Sequence, residues 1–368
     1  MDGPRAPLDT EIPSVIRFLD TNLRPKGDWS ITSEYPIAFS KANRNNIRII
    51  TENSENDEVT VLAHAVVRPM IVKTPAGLFK IAGLGSVVTS TDRRNEGLST
   101  KTIESCLDAA RAHGCDFAIL WTNLYDFYRR MGFELAGSEV SVLLDRDIIQ
   151  GEQGLKFLES GKIAPEAIHR LYAQHTVTSL RTVEETRKYL QIPNSRVYTA
   201  WDASGTLKAY AIEGKGADLD GYVHEWGGGV QALLSLFAHI RSSQKRNITI
   251  IVPGHSQNLI RAFTERGLPV NEGFLGMIKI LNTTNLFSKI KRHARGLGVP
   301  DLVLDYTNGK YYLGVGQHVF MTDSERDVVR LIFGPQKPSE IHDFGPETAA
   351  IMERVLPIGM WVWGWDSV

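Results

Sequence analysis

The stretch VVTSTDRRNEGLSTKTIESCLDAARAHG, residues 87–114, restricts the fold of this chain more than any other. An apolar extended run turns polar at two arginines and reaches a lone glycine at Gly97. It passes directly into a segment in which Ile103, Leu107 and Ala110 recur at helical spacing. His113-Gly114 supplies the C-terminal stop. A helix start with unblocked N–H groups is an anion site, and the aligned peptide dipoles add positive potential there. Gly97 has no Cβ to hold a ligand off the backbone. Arg94, three residues earlier, can fork onto phosphate oxygens, with Arg93 as a second cation. A pyrophosphate fits this junction.

Better-known phosphate motifs do not fit it. A P-loop needs a Gly-Lys-Ser/Thr ending, which the chain lacks. Gly83 and Gly85 begin a dinucleotide fingerprint, but Val88 stands where its third glycine is required. What remains is Arg-x-x-Gly-x-small: Arg94, Gly97 and Ser99.

The surrounding pattern is mixed. IPSVIRFLDTNL reads as a helix, VTVLAHAVVRPMIV and FKIAGLGSVVT as strands joined at TPAG, then the helix above, strand CDFAILW, helix LYDFYRRMG and strand FELAGSEVSVLL. After the polar stretch DRDIIQGEQG (145–154) the order partly returns, from helix APEAIHRLYAQHT to strand FLGMIKIL. From about 285 a helix, a hairpin turning at Asn308-Gly309 and a helix with a capping-box pattern at Thr322 and Glu325 follow. The expected units are 1–147, 150–284 and 285–368, in an α/β (α+β) architecture of two similar mixed-sheet sandwiches and a small α+β tail domain. A chain of 368 residues is too long for one ordinary core, which agrees.

A formal charge of −1 argues against a dedicated nucleic-acid surface. No apolar run reaches the length of a membrane span. The start MDGPRAPLDTEIPSVIRFL carries acids where a signal peptide would be basic, and Cys106 and Cys115 read as reduced buried thiols. The expected compartment is the cytoplasm. The histidines lack HxxH or HExxH spacing, so no metal site is expected.

RNEGLS, preceded by strand SVVT, resembles the Arg/Gln-x-x-Gly-x-Gly/Ala hallmark of the GCN5-related N-acetyltransferases (GNAT), with Ser99 in place of the last small residue. FAILWTN followed by LYDFYRRMGFELAG resembles that family's Tyr-x-x-x-Gly-Phe element, here Tyr128, Gly132 and Phe133. Tandem units with a tail domain resemble the enhanced-intracellular-survival group, whose last domain is sterol-carrier-like. The resemblance implies acetyl-CoA as co-substrate, held by Val87, Val88, Thr89, Arg93, Arg94, Asn95, Glu96, Gly97, Leu98, Ser99 and Asn123. It implies an oligomer as well. The second unit has EWGGGVQALL where the phosphate loop belongs, without the Arg-x-x-Gly signature, and is expected not to bind the cofactor.

Acetyl transfer to an amine needs a polarised carbonyl, a neutral amine and a proton for the leaving thiolate. A backbone N–H in the strand Val87 to Thr89 can polarise the carbonyl. The resemblance assigns the thiolate's proton to Tyr128, with Tyr125 the alternative, or leaves Tyr128 a packing residue. It assigns the base to the terminal carboxylate, here Val368, which the run Trp361, Val362, Trp363 and Trp365 can drive into the interior; an inert last strand is the plainer reading. Glu225 in YVHEWGG is a second carboxylate, as base, amine ligand or structural ion pair, and Asp366 a third. Trp121 and Asn123 can line an acceptor pocket. The expected activity is acetyl-CoA-dependent N-acetylation of a small-molecule or peptide amine, without nucleic-acid or membrane partners. The alternative is a non-catalytic acyl-CoA- or lipid-binding sensor.

Overall fold

A computed structural model describes residues 1–53, 59–148, 151–159 and 162–368; the polar boundary expected at 145–154 therefore lies partly outside the described residues, at 149 and 150. The chain begins with β1 (Asp2–Arg5), α1 (Ile12–Leu23), α2 (Ile31–Glu34), β2 (Ile47–Asn53), β3 (Val59–Thr74) and β4 (Gly77–Thr89). Next come α3 (Leu98–Ala112), β5 (Phe117–Leu120), α4 (Tyr125–Arg130), β6 (Glu134–Ala136) and β7 (Glu139–Leu144). The second segment holds β8 (Lys156–Glu159), α5 (Pro165–Tyr172), β9 (Thr178–Ser179), α6 (Val183–Tyr189), β10 (Arg196–Trp201), β11 (Leu207–Lys215) and β12 (Asp218–Gly228). It continues with α7 (Val230–Gln244), β13 (Ile248–Pro253), α8 (Gln257–Thr264), β14 (Val270–Gly273) and β15 (Gly276–Ile280). The last segment is α9 (Thr283–Gly296), β16 (Leu302–Thr307), β17 (Lys310–Val315), β18 (His318–Thr322), α10 (Glu325–Phe333), α11 (Pro338–Ile341) and α12 (Pro346–Met352).

The first sheet runs β1-β2-β3-β4-β5-β15-β6 with β9 beside β3, the second β14-β7-β13-β12-β11-β10-β8, and the third β16-β17-β18. The two large sheets exchange strands. FELAGSEVSVLL is not one strand: it breaks at Gly137, which takes a left-handed φ of 76°. β6 stays in the first sheet while β7 pairs with β13 and β14 in the second. In return β15, distant in sequence, inserts between β5 and β6. The expected boundary at 147 is therefore not a sheet boundary. Val140, Val142 and Leu144 of β7 are buried and join the second unit's core, which is why the pairing follows the crossing strand.

Local readings otherwise carry over. β3 and β4 turn at Thr74↔Gly77, and β16 and β17 turn at Asn308 and Gly309, both left-handed as a tight hairpin requires. One cap is corrected: Ser324, not Thr322, opens α10, its Oγ accepting from the Asp327 amide at 3.2 Å. The end of the chain is no strand. Trp361, Trp363 and Trp365 are buried in the segment after α12, with a short 3-10 turn at Gly364–Asp366, which meets β4 of the first sheet and β11 and β12 of the second. The Trp363 indole donates to the Val177 carbonyl at 3.1 Å and that of Trp365 to Ser195 Oγ at 3.1 Å. Among the described residues no helix is long and apolar enough to cross a membrane.

Candidate active site

Two features of the first sheet meet on β4. β4 pairs with β3 as far as Thr89 but with β5 only at Ile81, Ala82 and Gly83, so the two parallel strands part after Gly83. Val66 faces Gly85 and His64 faces Val88, which leaves an extra residue on β4: a bulge with Ser86 at φ 48°. The His64 imidazole, kept neutral by burial that pushes its pKa down to about 4, donates from Nδ1 to the Ser86 carbonyl at 2.8 Å and holds that conformation. Beyond the gap Val87 and Thr89 are half-buried and Val88 is buried.

The loop after β4 delivers the helix start. Gly97 adopts φ 74°, a left-handed conformation that favours glycine, and no side chain caps α3. A Cβ on Gly97 would point into open space, so a ligand can come close to the backbone there. Arg94 and Asn95 are exposed, and Asn95 is also left-handed, at φ 67°. Arg93 is already engaged, with Glu96 at 2.8 Å and Glu52 at 3.1 Å. Leu98 is buried, while Ser99 Oγ receives the Thr89 hydroxyl at 3.1 Å. Charge and space at this start suit an anion. Asn123 lies exposed between β5 and α4.

Tyr128 is buried on α4, edge-on to Phe127 and Phe133, and burial pushes its phenol up to about 12, so it stays a proton donor. Tyr125 is much more exposed.

The terminus reaches this sheet. Val368 packs over Gly83 and Gly85: a Cβ on Gly83 would come within 3.0 Å of its side chain, and one on Gly85 would collide with its carboxyl group. Two anchors hold it there. Lys215, buried, donates to the carbonyls of Gly364 at 2.9 Å and Ser367 at 2.8 Å. Its ammonium lies 4.4 Å from the Tyr35 ring centroid, and burial foremost pushes its pKa down to about 7. Asp366 accepts from Arg181 Nε at 2.9 Å, Tyr172 at 3.0 Å and Tyr189 at 3.1 Å. Burial alone would raise the Asp366 pKa, but Arg181 and Arg68 hold it far below the usual carboxylate range. A carboxylate held so low is a poor base.

Glu225 belongs to the same buried cluster. It takes both Arg181 terminal nitrogens at 2.7 Å with neither residue exposed, which is the structural ion-pair reading. Burial raises its pKa and Arg181 offsets only part of that. Of the two carboxylates on Arg181, Asp366 is the lower because it also has Arg68 and two phenols.

A cavity of about 490 Å³ opens beside the terminus. Trp121 lines it, as do Val368 and two groups not singled out from the sequence, Glu139 and His224; Glu225 does not. Burial pushes the Glu139 carboxyl up to about 7. The only cue to Lys215 in the sequence is a cation closing the apolar strand AYAIEGK, and Glu139 follows a Gly-Ser break with no cue to its pocket.

In the second unit, the start of α7 follows Gly228 and Gly229, and the Glu152 amide of the preceding linker donates to the Gln231 carbonyl at 3.2 Å, laying backbone across that start.

Residues 11–136 match the family described as acetyltransferase (GNAT) domain. No curated protein matches the chain. Among solved structures, a GCN5-related N-acetyltransferase from Anabaena variabilis is 15% identical with a TM-score of 0.66, covering 99% of both chains. A probable N-acyltransferase from Enterococcus faecalis is 13% identical (TM-score 0.64, 98% of both). Eis1 from Mycobacterium abscessus is 11% identical (TM-score 0.62, 100% of both). The chain thus carries a GNAT acetyltransferase domain, the domain of an acyltransferase, within a whole-chain fold that it shares with these three structures.

Proposed function

We propose that the protein is an acetyl-CoA-dependent N-acetyltransferase acting on an amine of a small molecule or peptide by direct transfer. The observation that carries this reading is the seat of the Val368 carboxyl group at Gly85, where β4 parts from β5, one strand and loop away from the uncapped start of α3. Acetyl-CoA is the co-substrate of this reaction. Its diphosphate fits the amides at Gly97 to Ser99 with Arg94, while Arg93 and Glu96 shape that loop as a pair. An amide of Val87 to Thr89, free of β5, polarises the thioester carbonyl.

The transfer itself balances simply. The amine nitrogen attacks the carbonyl carbon; the C–N bond forms and the C–S bond breaks. The proton leaving nitrogen goes to the Val368 carboxylate, and the thiolate takes a proton from Tyr128. The reading extends to a cytoplasmic, oligomeric enzyme.

Thiol release from acetyl-CoA over a broad amine panel, comparing wild type with Tyr128→Phe, tests it. Turnover that falls in the variant while acetyl-CoA affinity holds is expected. Tight acetyl-CoA binding without thiol release for any amine would instead leave a non-catalytic acyl-CoA- or lipid-binding protein.

A further inference from the structure

The cavity beside Val368 has a composition that selects among amines. Its walls are largely aromatic and aliphatic: Trp121 and Tyr222, more than a third exposed, stand with Trp361 and Leu275. At about 490 Å³ it has the size of a site for one small molecule, roughly 300–1,000 Å³.

Three polar groups of its lining residues lack a partner among the described residues. The Glu139 carboxyl is shifted by burial alone, with no cation or donor acting on it. The Trp361 indole N–H is buried without an acceptor. His224 donates from Nε2 to the Gly214 carbonyl at 2.9 Å, which leaves Nδ1 a buried acceptor without a donor. Buried polar groups are nearly always paired; of these three, the half-buried Glu139 carboxyl is the one a ligand in the cavity can reach, because the Trp361 and His224 nitrogens are sealed within the wall.

The other acid of the wall is already taken. Asp218 accepts from Arg24 at 2.9 Å and from the Tyr35 hydroxyl at 2.6 Å. One carboxyl is therefore free to meet a cation in addition to the terminal one.

We infer that this cavity takes a mono-cationic amine carried on a compact aromatic or apolar body, and that Glu139 binds its ammonium, which releases one proton to solvent to become the neutral nucleophile before its second proton passes to Val368. This rests on the acetyltransferase reading above. A polycationic acceptor would bring more ammonium groups than Glu139 and the terminal carboxylate can pair, and each uncompensated charge is costly. The flat body lies on the aromatic walls, with cation–π attraction adding to the carboxylate.

The test has two arms. In the first, wild-type protein with acetyl-CoA is offered tyramine, phenethylamine and spermidine, and thiol release is followed. Tyramine and phenethylamine are both expected to exceed spermidine in kcat/KM by about tenfold or more. In the second, calorimetry measures tyramine binding to wild type and to Glu139→Gln. The expected loss is about tenfold, the range for a charge-assisted hydrogen bond, with acetyl-CoA affinity unchanged as the control for folding. Spermidine turned over as well as tyramine overturns the inference and leaves the acetyltransferase reading in place. Tyramine bound equally by wild type and variant overturns the role of Glu139. Acetyl-CoA bound without thiol release for any amine overturns the acetyltransferase reading, while the calorimetric arm, which needs no chemistry, still decides whether Glu139 binds an ammonium.

Discussion

The carboxyl group of Val368 occupies the space that a side chain on Gly85 would need. Residues far apart along the chain thus meet at the bulge of one strand, and the bareness of the glycine makes room for the terminus.

That contact allows the terminus to be moved without changing it. Gly85→Ala should displace the carboxylate while leaving the α3 start and the Tyr128 pocket as they are. If the carboxylate is the base, turnover falls by about 10²–10⁴, the range for one general acid–base group, with acetyl-CoA affinity retained. Extending the chain by one glycine after Val368 should do the same. Steady-state kinetics that match wild type in both variants would remove the terminus from the mechanism.

Arg94 and Arg93 should separate in mutagenesis. Arg94 is exposed at the helix start, whereas Arg93 is shared between Glu96 and Glu52. Arg94→Ala is expected to weaken acetyl-CoA binding by about tenfold, as loss of a charge-assisted hydrogen bond does. Arg93→Ala should weaken it less, through loop order. Calorimetry that ranks the two variants the other way would contradict the assignment.

Removing a single partner from the buried cluster should be severe. Arg181→Met leaves Glu225 and Asp366 buried and stripped of their shared cation, which costs about 3–5 kcal/mol. Denaturant unfolding measures it. A loss well under that range would mean that the cluster relaxes or neutralises.

Acidification should destabilise the fold. Burial is the leading cause that pushes His64, His175 and His255 down to about 4 and His224 to about 3, against about 6.5 for histidine in the unfolded chain. Between pH 6.5 and 4 the unfolded state therefore binds more protons at these four sites, so stability rises with pH and is lost as pH falls. Glu139, pushed up to about 7, acts in the opposite sense between 4.5 and 7, as do Glu225 and Glu325, which burial also raises, but His239, lowered by burial as well, brings the histidines to five against these three carboxyls. Thermal melting should drop steeply from pH 6.5 to 4; a flat profile would contradict the sign.

The exchange of β7 and β15 predicts how the chain can be cut. A fragment ending at 147 keeps β5 and β6 but lacks the strand that joins them, and it exposes β7 with its buried Val140, Val142 and Leu144. It should aggregate or remain unfolded by circular dichroism. A fragment that is monomeric and cooperative in unfolding would show that the exchange is dispensable.

Features that depend on neighbouring residues could be read from the sequence. The β4–α3 junction, Gly97 as its bare approach to the backbone, the hairpin at Asn308-Gly309 and the aromatic run driven into the interior at the end were all legible. Each is written in spacing, a missing Cβ or a hydrophobic period within a few residues. Tertiary structure alone decided the rest. Glu225 is a structural ion pair because Arg181 and Asp366 arrive beside it from separate segments, and Glu139 faces the cavity because β7 crosses to the second sheet. The terminus reaches Gly85 because Lys215 and Asp366 tie it down. Such pairings join residues far apart along the chain, and their energies depend on burial and on partners that no local window contains.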